Sequence, residues 1–293
     1  MLIEIFSILA PVFICAGIGL CWSKSGKPYD TQLITSIVSY FGTPCLIFHS
    51  ISAVEIAPRA VFNMAGAALA ANAAFIVIGG VFLALARLEQ RAFLPALSFP
   101  NVGNVGLPLC YLAFGEEGLA LGSTFFAVYA VVQLTAGTAF VSGRFSPASL
   151  LRMPVIPATV LAVVFLLTAT PVPAWLNNTT RLIGDLTIPL MLFTLGVSLA
   201  RIRPAGLKLP FALAIVRLGA GFGVGLLLAS LFQLESIAAG VVILQCSMPT
   251  AVFCYLFAQL YDRKPQDVAG AVMLSTLLSF ITLPALLAFV LSL

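Results

Sequence analysis

The segment FPNVGNVGLP, residues 99–108, interrupts an apolar stretch that runs from Ala92 to Phe114. Two prolines, two glycines and two asparagines stand where hydropathy alone predicts a membrane helix. Proline removes a backbone donor and clashes with the preceding turn, and glycine permits conformations that other residues resist. Freed backbone groups are costly in hydrocarbon, so such a break persists only where it is buried in protein or lines a wet cavity. The segment therefore predicts a membrane helix that is broken near its middle, beside a polar site.

The composition places the whole chain in a membrane. Hydrophobic residues make up 61% of the 293 residues and charged residues 8%, whereas a soluble domain has roughly 25% charged residues. The net charge of +4 lies between apolar segments without a basic tail, which argues against a nucleic-acid partner. Residues 2–22 lack a charged leading region and a cleavage site, so we interpret them as a first span and not as a signal peptide. We expect a multi-pass protein of the plasma or bacterial inner membrane, surrounded by lipid.

Cysteine and histidine usage limits the chemistry. Six cysteines lie in apolar segments without C-x-x-C spacing, and His49 is the only histidine. This pattern argues against a disulfide framework, a zinc site and a haem site. The sequence also lacks a visible nucleophile and base pair, so we expect neither an enzyme nor a cofactor.

The sequence contains ten apolar segments of about 20 residues, the length that crosses a hydrocarbon core of roughly 30 Å. The loops after spans one, three, five, seven and nine carry eleven of the fourteen basic residues. By the positive-inside rule these loops are cytoplasmic, which places both termini outside. The predicted spans are residues 2–22, 31–53, 61–86, 92–114, 118–141, 150–170, 179–200, 209–232, 237–260 and 267–291.

Two short similarities relate the halves of the chain. Residues 44–48 (PCLIF) resemble residues 189–193 (PLMLF) at an offset of 145, and residues 110–112 (CYL) recur at 254–256 at an offset of 144. Both offsets are close to half the chain. Because five spans per half is an odd number, the second copy enters the membrane from the opposite side. The expected architecture is therefore an inverted repeat, which is common in secondary transporters.

The second half has its own interruption, QCSMPTAVF at residues 245–253. Pro108 and Pro249 suit the first turn of a second half-helix in spans four and nine. Each such N-terminus carries about +0.5 charge and has free amides, which favours an anion, whereas the opposing C-terminal ends favour a cation or a donor. We predict a small organic anion, a carboxylate, bound between the half-helices. The expected substrate-binding residues are Asn101, Asn104, Pro108, Gln133, Ser247, Pro249 and Thr250.

Four stretches resemble the auxin efflux carrier family, which includes plant auxin exporters and bacterial malonate-type organic-acid carriers. They are LSFPNVGNVGLPLCYLAFGEEGLA (97–120), the glutamine in AVYAVVQLT (127–135), IPLMLFTLGVSLA (188–200) and MPTAVFCYLFAQLYDRKPQDVAG (248–270). The resemblance covers nearly the whole chain. It implies that the asparagine after the first crossover proline and the span-five glutamine contact substrate, which here are Asn101 and Gln133.

The resemblance also implies an all-α fold of two inverted five-helix repeats, residues 1–145 and 146–293, in which broken helices four and nine cross. Spans one, two, six and seven would form a scaffold domain. The other six spans would form a transport domain that moves like an elevator. Plant exporters carry a long cytoplasmic loop where this chain has a short link at about residues 142–149, so we expect no phosphorylation control through that loop.

Two ionisable residues lie deep within the predicted spans. Arg217 and Asp185 are candidate charge partners, because intramembrane charges mark functional sites or pair with each other. Arg217 could bind a substrate carboxylate, and Asp185 could take up a proton. Alternatively, the two side chains pair with each other or bind backbone carbonyls.

These observations favour a secondary transporter that works by alternating access. One alternative is a sodium-coupled symporter of the bile-acid-carrier type, and another is a membrane sensor that binds its ligand without moving it. The sequence leaves open the substrate, the direction of transport, a coupling ion such as a proton or sodium, and assembly as a homodimer.

Overall fold

The computed structural model describes residues 2–54, 56–143, 153–203 and 206–293, and in that part of the chain every regular element is a helix. Seven helices are long and apolar enough to cross a membrane, and two shorter ones are also apolar. The protein is therefore an all-helical, multi-pass membrane protein. The helices are α1 Leu2–Lys24, α2 Thr31–Ser52, α3 Pro58–Leu85, α4 Gln90–Ser98, α5 Val102–Ser142, α6 Val155–Thr168, α7 Ala174–Arg201, α8 Lys208–Leu231, α9 Ser236–Cys246, α10 Val252–Leu260 and α11 Pro265–Val290.

Both predicted interruptions are present. The chain leaves helical structure between α4 and α5 and again between α9 and α10, so predicted spans four and nine are each split. α5 is longer than one span because it continues past Gly115, where φ is 65° and the helix changes direction. The change of direction at Gly115 thus comes one residue after the predicted end of span four, residue 114. The predicted start of span six, at residues 150–152, the boundary at residue 145 and most of the 142–149 link lie outside the described residues.

The helices form two groups, and the helices of each group pack against one another. The first group consists of α1, α2, α6 and α7. α1 packs along α7, and α2 packs against both α6 and α7. Glycines permit the close approach of α1 and α7, since a Cβ at Gly196 would lie 1.8 Å from the carbonyl oxygen of Ala16. In the second group, α8 packs against α3, α9 and α11, while α5 packs against α3 and α9. The largest hydrophobic cluster lies within the second group and surrounds both breaks.

Candidate functional site

The two interruptions lie side by side and share backbone hydrogen bonds. The amide of Asn101 donates to the carbonyl of Pro249 over 2.7 Å, and the amide of Ala251 donates to the carbonyl of Phe99 over 2.9 Å. The two segments thus form one antiparallel bridge. This pairing satisfies backbone groups that would otherwise be exposed to hydrocarbon, which is the condition for a broken helix at membrane depth.

Arg217 on α8 binds the C-terminal ends of both first half-helices. Its side chain is buried, Nη1 donates to the carbonyl of Leu97 in α4 over 2.6 Å, and Nη2 donates to the carbonyl of Cys246 in α9. The guanidinium also lies 3.9 Å from the ring centroid of Phe75. A helix C-terminus carries about −0.5 charge, so one arginine offsets two such ends. The sequence predicted a cation or donor at these C-terminal ends. Among the alternatives considered for Arg217, the structure shows the binding of backbone carbonyls.

The predicted partnership between Asp185 and Arg217 is wrong. Asp185 lies on an exposed part of α7, where its Oδ2 is 3.9 Å from Nε of Arg181, one turn earlier. The sequence placed both charges deep in the membrane, but it could not show that Arg217 has carbonyl partners on two other helices.

The N-terminal ends of the two second half-helices begin at Val102 and Val252. Asn101 caps the first one, since its Oδ1 accepts a hydrogen bond from the amide of Asn104 over 3.3 Å. The first amides of a helix have no acceptor within that helix. At the first end the amides of Val102 and Asn104 have acceptors outside the helix, in the carbonyl of Pro100 and Oδ1 of Asn101. Both ends direct the positive end of a helix dipole to the space in front of them.

That space is a cavity of about 390 Å³. One wall is formed by α2 and the C-terminal half of α7, and the other by the residues at the two breaks and in the middle of α5. Its lining contains no Asp or Glu among the described residues, and Arg201 is its one charged side chain there. Polar lining residues are Thr31, Thr35, Ser39, Thr43, Asn101, Asn104, Gln133, Thr194, Ser198, Arg201, Tyr255 and Gln259.

Two amide groups at the cavity lack hydrogen-bond partners. Nδ2 of Asn101 and Nε2 of Gln133 are buried, and neither has an acceptor among the described residues. The orientation of the Asn101 amide follows from its Oδ1, which is already bonded to the amide of Asn104. A buried donor without a partner costs roughly 1–3 kcal/mol. Both groups would be satisfied by a ligand that brings acceptor oxygens.

Three π-helical turns surround the same cavity: Val38–Gly42 in α2, Val102–Gly106 at the start of α5, and Gln133–Gly137 later in α5. Each turn contributes lining residues. The third turn packs against the first break, because a Cβ at Gly137 would lie 2.8 Å from the ring of Phe99. Since π turns occur often at functional sites, their clustering supports this cavity as the site.

The structure brings together only part of the predicted set. Asn101, Asn104 and Gln133 line the cavity, whereas Pro108, Ser247, Pro249 and Thr250 do not. Thr250 is fully satisfied elsewhere, since its Oγ1 donates to the carbonyl of Ala96 over 2.9 Å and its amide donates to Oγ of Ser275 over 3.1 Å. Ser247 ends α9, with its amide bonded to the carbonyl of Ile243. The hydroxyl of Thr250 thus joins the second break to α4, whereas the buried Oγ of Ser247 has no hydrogen-bond partner among the described residues.

The two prolines also differ from the prediction. Pro108 lies in the first turn of the α-helical part of α5, as expected, but the π turn from Val102 precedes that part without a gap. The free N-terminus is therefore at Val102, five residues before the α-helical part begins at Leu107. The prediction for Pro249 is wrong, because this residue lies in the extended linker and α10 begins only at Val252.

Sequence reasoning missed the polar wall contributed by α2 and α7. Its signal was a spacing of three or four residues, which places side chains on one face of a helix. On α2 this face carries Thr31, Thr35, Ser39 and Thr43, and on α7 it carries Thr194, Ser198 and Arg201.

A sequence model of the family described as membrane transport protein matches the chain in two stretches, residues 4–144 and 139–287. Together they cover nearly the whole chain. The chain belongs to the membrane transport protein family. An uncharacterized transporter of Methanocaldococcus jannaschii is 23% identical over 198 residues, which is 62% of this chain and 63% of that protein.

Membership confirms the resemblance to auxin efflux carriers that the sequence indicated. The family is one of membrane transporters, which is not an enzyme class. In this member of the membrane transport protein family, the described residues bring no three His, Cys, Asp or Glu side chains together as metal ligands. The cavity between the breaks and the polar wall is the candidate site for a transported molecule.

Proposed function

We propose that this chain is a secondary transporter that moves a small organic anion, bound through its carboxylate, across the cell membrane. The observation that carries the proposal is that the residues at two helix N-termini line one cavity together with Asn101 and Gln133, whose buried side-chain nitrogens have no acceptor among the described residues. Two N-termini supply about +0.5 charge each, which together offsets one carboxylate. The same oxygens would satisfy both unpartnered amide groups.

The size and the apolar part of the cavity support a small organic ligand. Its volume of about 390 Å³ lies within the range of roughly 300–1,000 Å³ for ligand sites. Phe126, Met191 and Phe253 also line it and would contact the carbon skeleton. A carboxylate on an apolar body therefore suits the site better than a fully polar anion.

We infer that the chain works by an elevator mechanism on a fold of two inverted five-helix repeats, residues 1–145 and 146–293. The packing of α1, α2, α6 and α7 supports a scaffold, and the packing of the remaining helices around both breaks supports a moving transport domain. The cavity lies where the two groups meet, with its polar wall on the scaffold. Movement of the breaks past that wall would carry the ligand.

The cavity runs toward the membrane face at which α2 begins and α7 ends, because Thr31 and Arg201 line it. The loops at that face carry Lys24, Lys27 and Arg203. With the orientation favoured by these charges, both termini lie outside and the structure is open to the cytoplasm.

Arg217 argues against sodium coupling through the C-terminal ends of the breaks. Carbonyls at such ends can coordinate sodium in transporters of this kind. Here the carbonyls of Leu97 and Cys246 already accept hydrogen bonds from Arg217. The proposal therefore favours an organic anion carrier over the sodium-coupled symporter of the bile-acid-carrier type.

A binding panel on the purified protein tests the proposal. The ligands are mono- and dicarboxylates of about two to six carbons, each compared with its neutral amide. We expect at least one acid to bind and its amide to bind much more weakly. Uptake of that acid into proteoliposomes, with ion gradients set one at a time, then distinguishes a transporter from a sensor.

Matched variants locate the site. Asn101→Ala and Gln133→Ala should each weaken binding by about 1–3 kcal/mol, with folding retained. Asn63→Ala on α3 and Thr135→Ala in the same π turn as Gln133 are controls, since neither residue lines the cavity. If both site variants bind the acid as tightly as the wild type, the ligand lies elsewhere and the proposal fails.

A further inference from the structure

Arg201 stands at the mouth of the cavity. It is the last residue of α7, its side chain is exposed, and it is the one charged lining residue in the described part of the chain. Thr43, twelve residues beyond Thr31 on α2 in the same wall, lines the cavity as well. At 1.5 Å per residue this separation is roughly 18 Å. Arg201 and the inner part of the cavity are therefore at different depths.

The guanidinium of Arg201 is held in place. Nη1 donates to Oγ1 of Thr31 over 2.9 Å, and Nη2 donates to the carbonyl of Tyr29 over 2.9 Å. The hydroxyl of Tyr29 is hydrogen-bonded to Oγ1 of Thr194 over 2.6 Å, and its ring lies 5.2 Å from that of Phe193. Burial raises the pKa of the Tyr29 hydroxyl above its ordinary value.

All of these partners belong to α2, α7 or the loop before α2. The N-termini that face the inner cavity belong to α5 and α10, in the other packing group. In an elevator, which the proposed function assumes, the two groups move relative to each other. Arg201 then faces the ligand path only while the cavity opens at this mouth.

We propose that Arg201 is a one-sided anion-selecting residue, which attracts a carboxylate at this mouth before the ligand reaches the two N-termini. A fixed positive charge at a cleft opening raises the local concentration of anions and their association rate. Because Arg201 is exposed, salt should weaken its effect. It sets how fast an anion enters and leaves on this side, and it is not part of the inner site.

The first test needs no knowledge of the substrate. Ser39, an exposed residue two turns further along the same wall than Thr31, is replaced by cysteine after the six native cysteines are removed. Anionic and cationic methanethiosulfonate reagents of similar size are added from this side, and their reaction rates are compared. Arg201→Gln should lower the anionic-to-cationic rate ratio by about tenfold at low salt. In about 1 M salt the difference should shrink to less than twofold.

Two variants control for charge and for location. Arg201→Lys keeps the charge and should keep most of the ratio. Arg203→Gln removes an exposed charge two residues away that does not line the cavity, and it should leave the ratio unchanged. An unchanged ratio in Arg201→Gln, or an equal fall in Arg203→Gln, overturns the inference.

The second test addresses the one-sided effect, with the acid that binds best in the panel. Arg201→Gln should raise KM about tenfold for uptake from this mouth and change it less than twofold from the opposite face. An equal rise from both faces contradicts the one-sided role. If no acid binds in the panel but the reagent ratio falls, the proposed function fails while the anion-selecting mouth stands.

Discussion

Replacing Asn101 by aspartate separates the fold of the break from its ligand preference. The side chain keeps its shape, and a carboxylate oxygen still accepts the hydrogen bond from the amide of Asn104, now 3.3 Å from Oδ1. Aspartate is also a favoured N-cap residue, so α5 should still begin at Val102. What changes is the other end of a side chain that lines the cavity, where an unpartnered donor becomes a negative charge.

The expected loss of binding follows from Coulomb's law. Two like charges about 4 Å apart repel by about 4 kcal/mol at an effective dielectric constant of about 20, which is roughly a thousandfold in affinity. Asn101→Ser keeps a neutral capping oxygen and loses only the donor, which should cost about 1–3 kcal/mol. Calorimetric titration with the acid should therefore rank wild type above Asn101→Ser and Asn101→Ser above Asn101→Asp, while thermal unfolding shows that all three are folded. If the folded aspartate variant binds the acid as tightly as the serine variant, no anion lies beside this residue.

Three further predictions concern orientation, packing and charge. A single cysteine at Lys208 should react with impermeant reagents only from the cytoplasmic side, and labelling from outside in intact cells would refute the proposed topology. In thermal unfolding, Gly196→Ala should lower stability by about 1–3 kcal/mol, because it separates α1 from α7. The control Gly223→Ala on α8, where a Cβ meets nothing within 4 Å, should be neutral or stabilising. Arg217→Gln should lower stability, since it leaves carbonyls at two helix ends unpaired. It should nevertheless preserve the selectivity of binding for the acid over its amide. Loss of that selectivity would mean that the side chain, not the backbone, recognises the anion.

The sequence was sufficient to predict where the helices break, because a continuous helix that faces lipid tolerates clustered prolines and amides poorly. The sequence analysis attributed the glycines of the first break to conformational freedom, and for Gly106 this explanation is wrong. Gly106 has helical backbone angles, with φ of −66°, so its freedom of conformation is not used. A Cβ there would lie 2.1 Å from Oε1 of Gln245 on α9. Close packing against another helix accounts for this glycine, and such packing has no signal in a single sequence.

The sequence could predict a site residue only where a single chain segment both forms the break or turn at the cavity and carries the hydrogen-bond donor. Asn101 lies in the first break and Gln133 marks a π turn further along the same helix. Thr250 was misassigned because it lies opposite the first break in an antiparallel bridge, with its hydroxyl bonded to the carbonyl of Ala96. The wall that carries Thr31 and Arg201 was missed because two helices about 170 residues apart build it, and their shared face becomes evident only once they pack.

The two sides of the break differ in charge balance, and this difference is the basis of the proposed preference for an anion. At the C-terminal ends, about −0.5 charge on each of α4 and α9 is offset within the fold by the single charge of Arg217. At the N-terminal ends of α5 and α10, the corresponding positive charge has no acidic side chain opposite it in the described lining. Asn101 and Gln133 add donors there and leave them unpaired. A cation would add to the imbalance and a neutral ligand would leave it in place, so an anion is the class of ligand that completes the site.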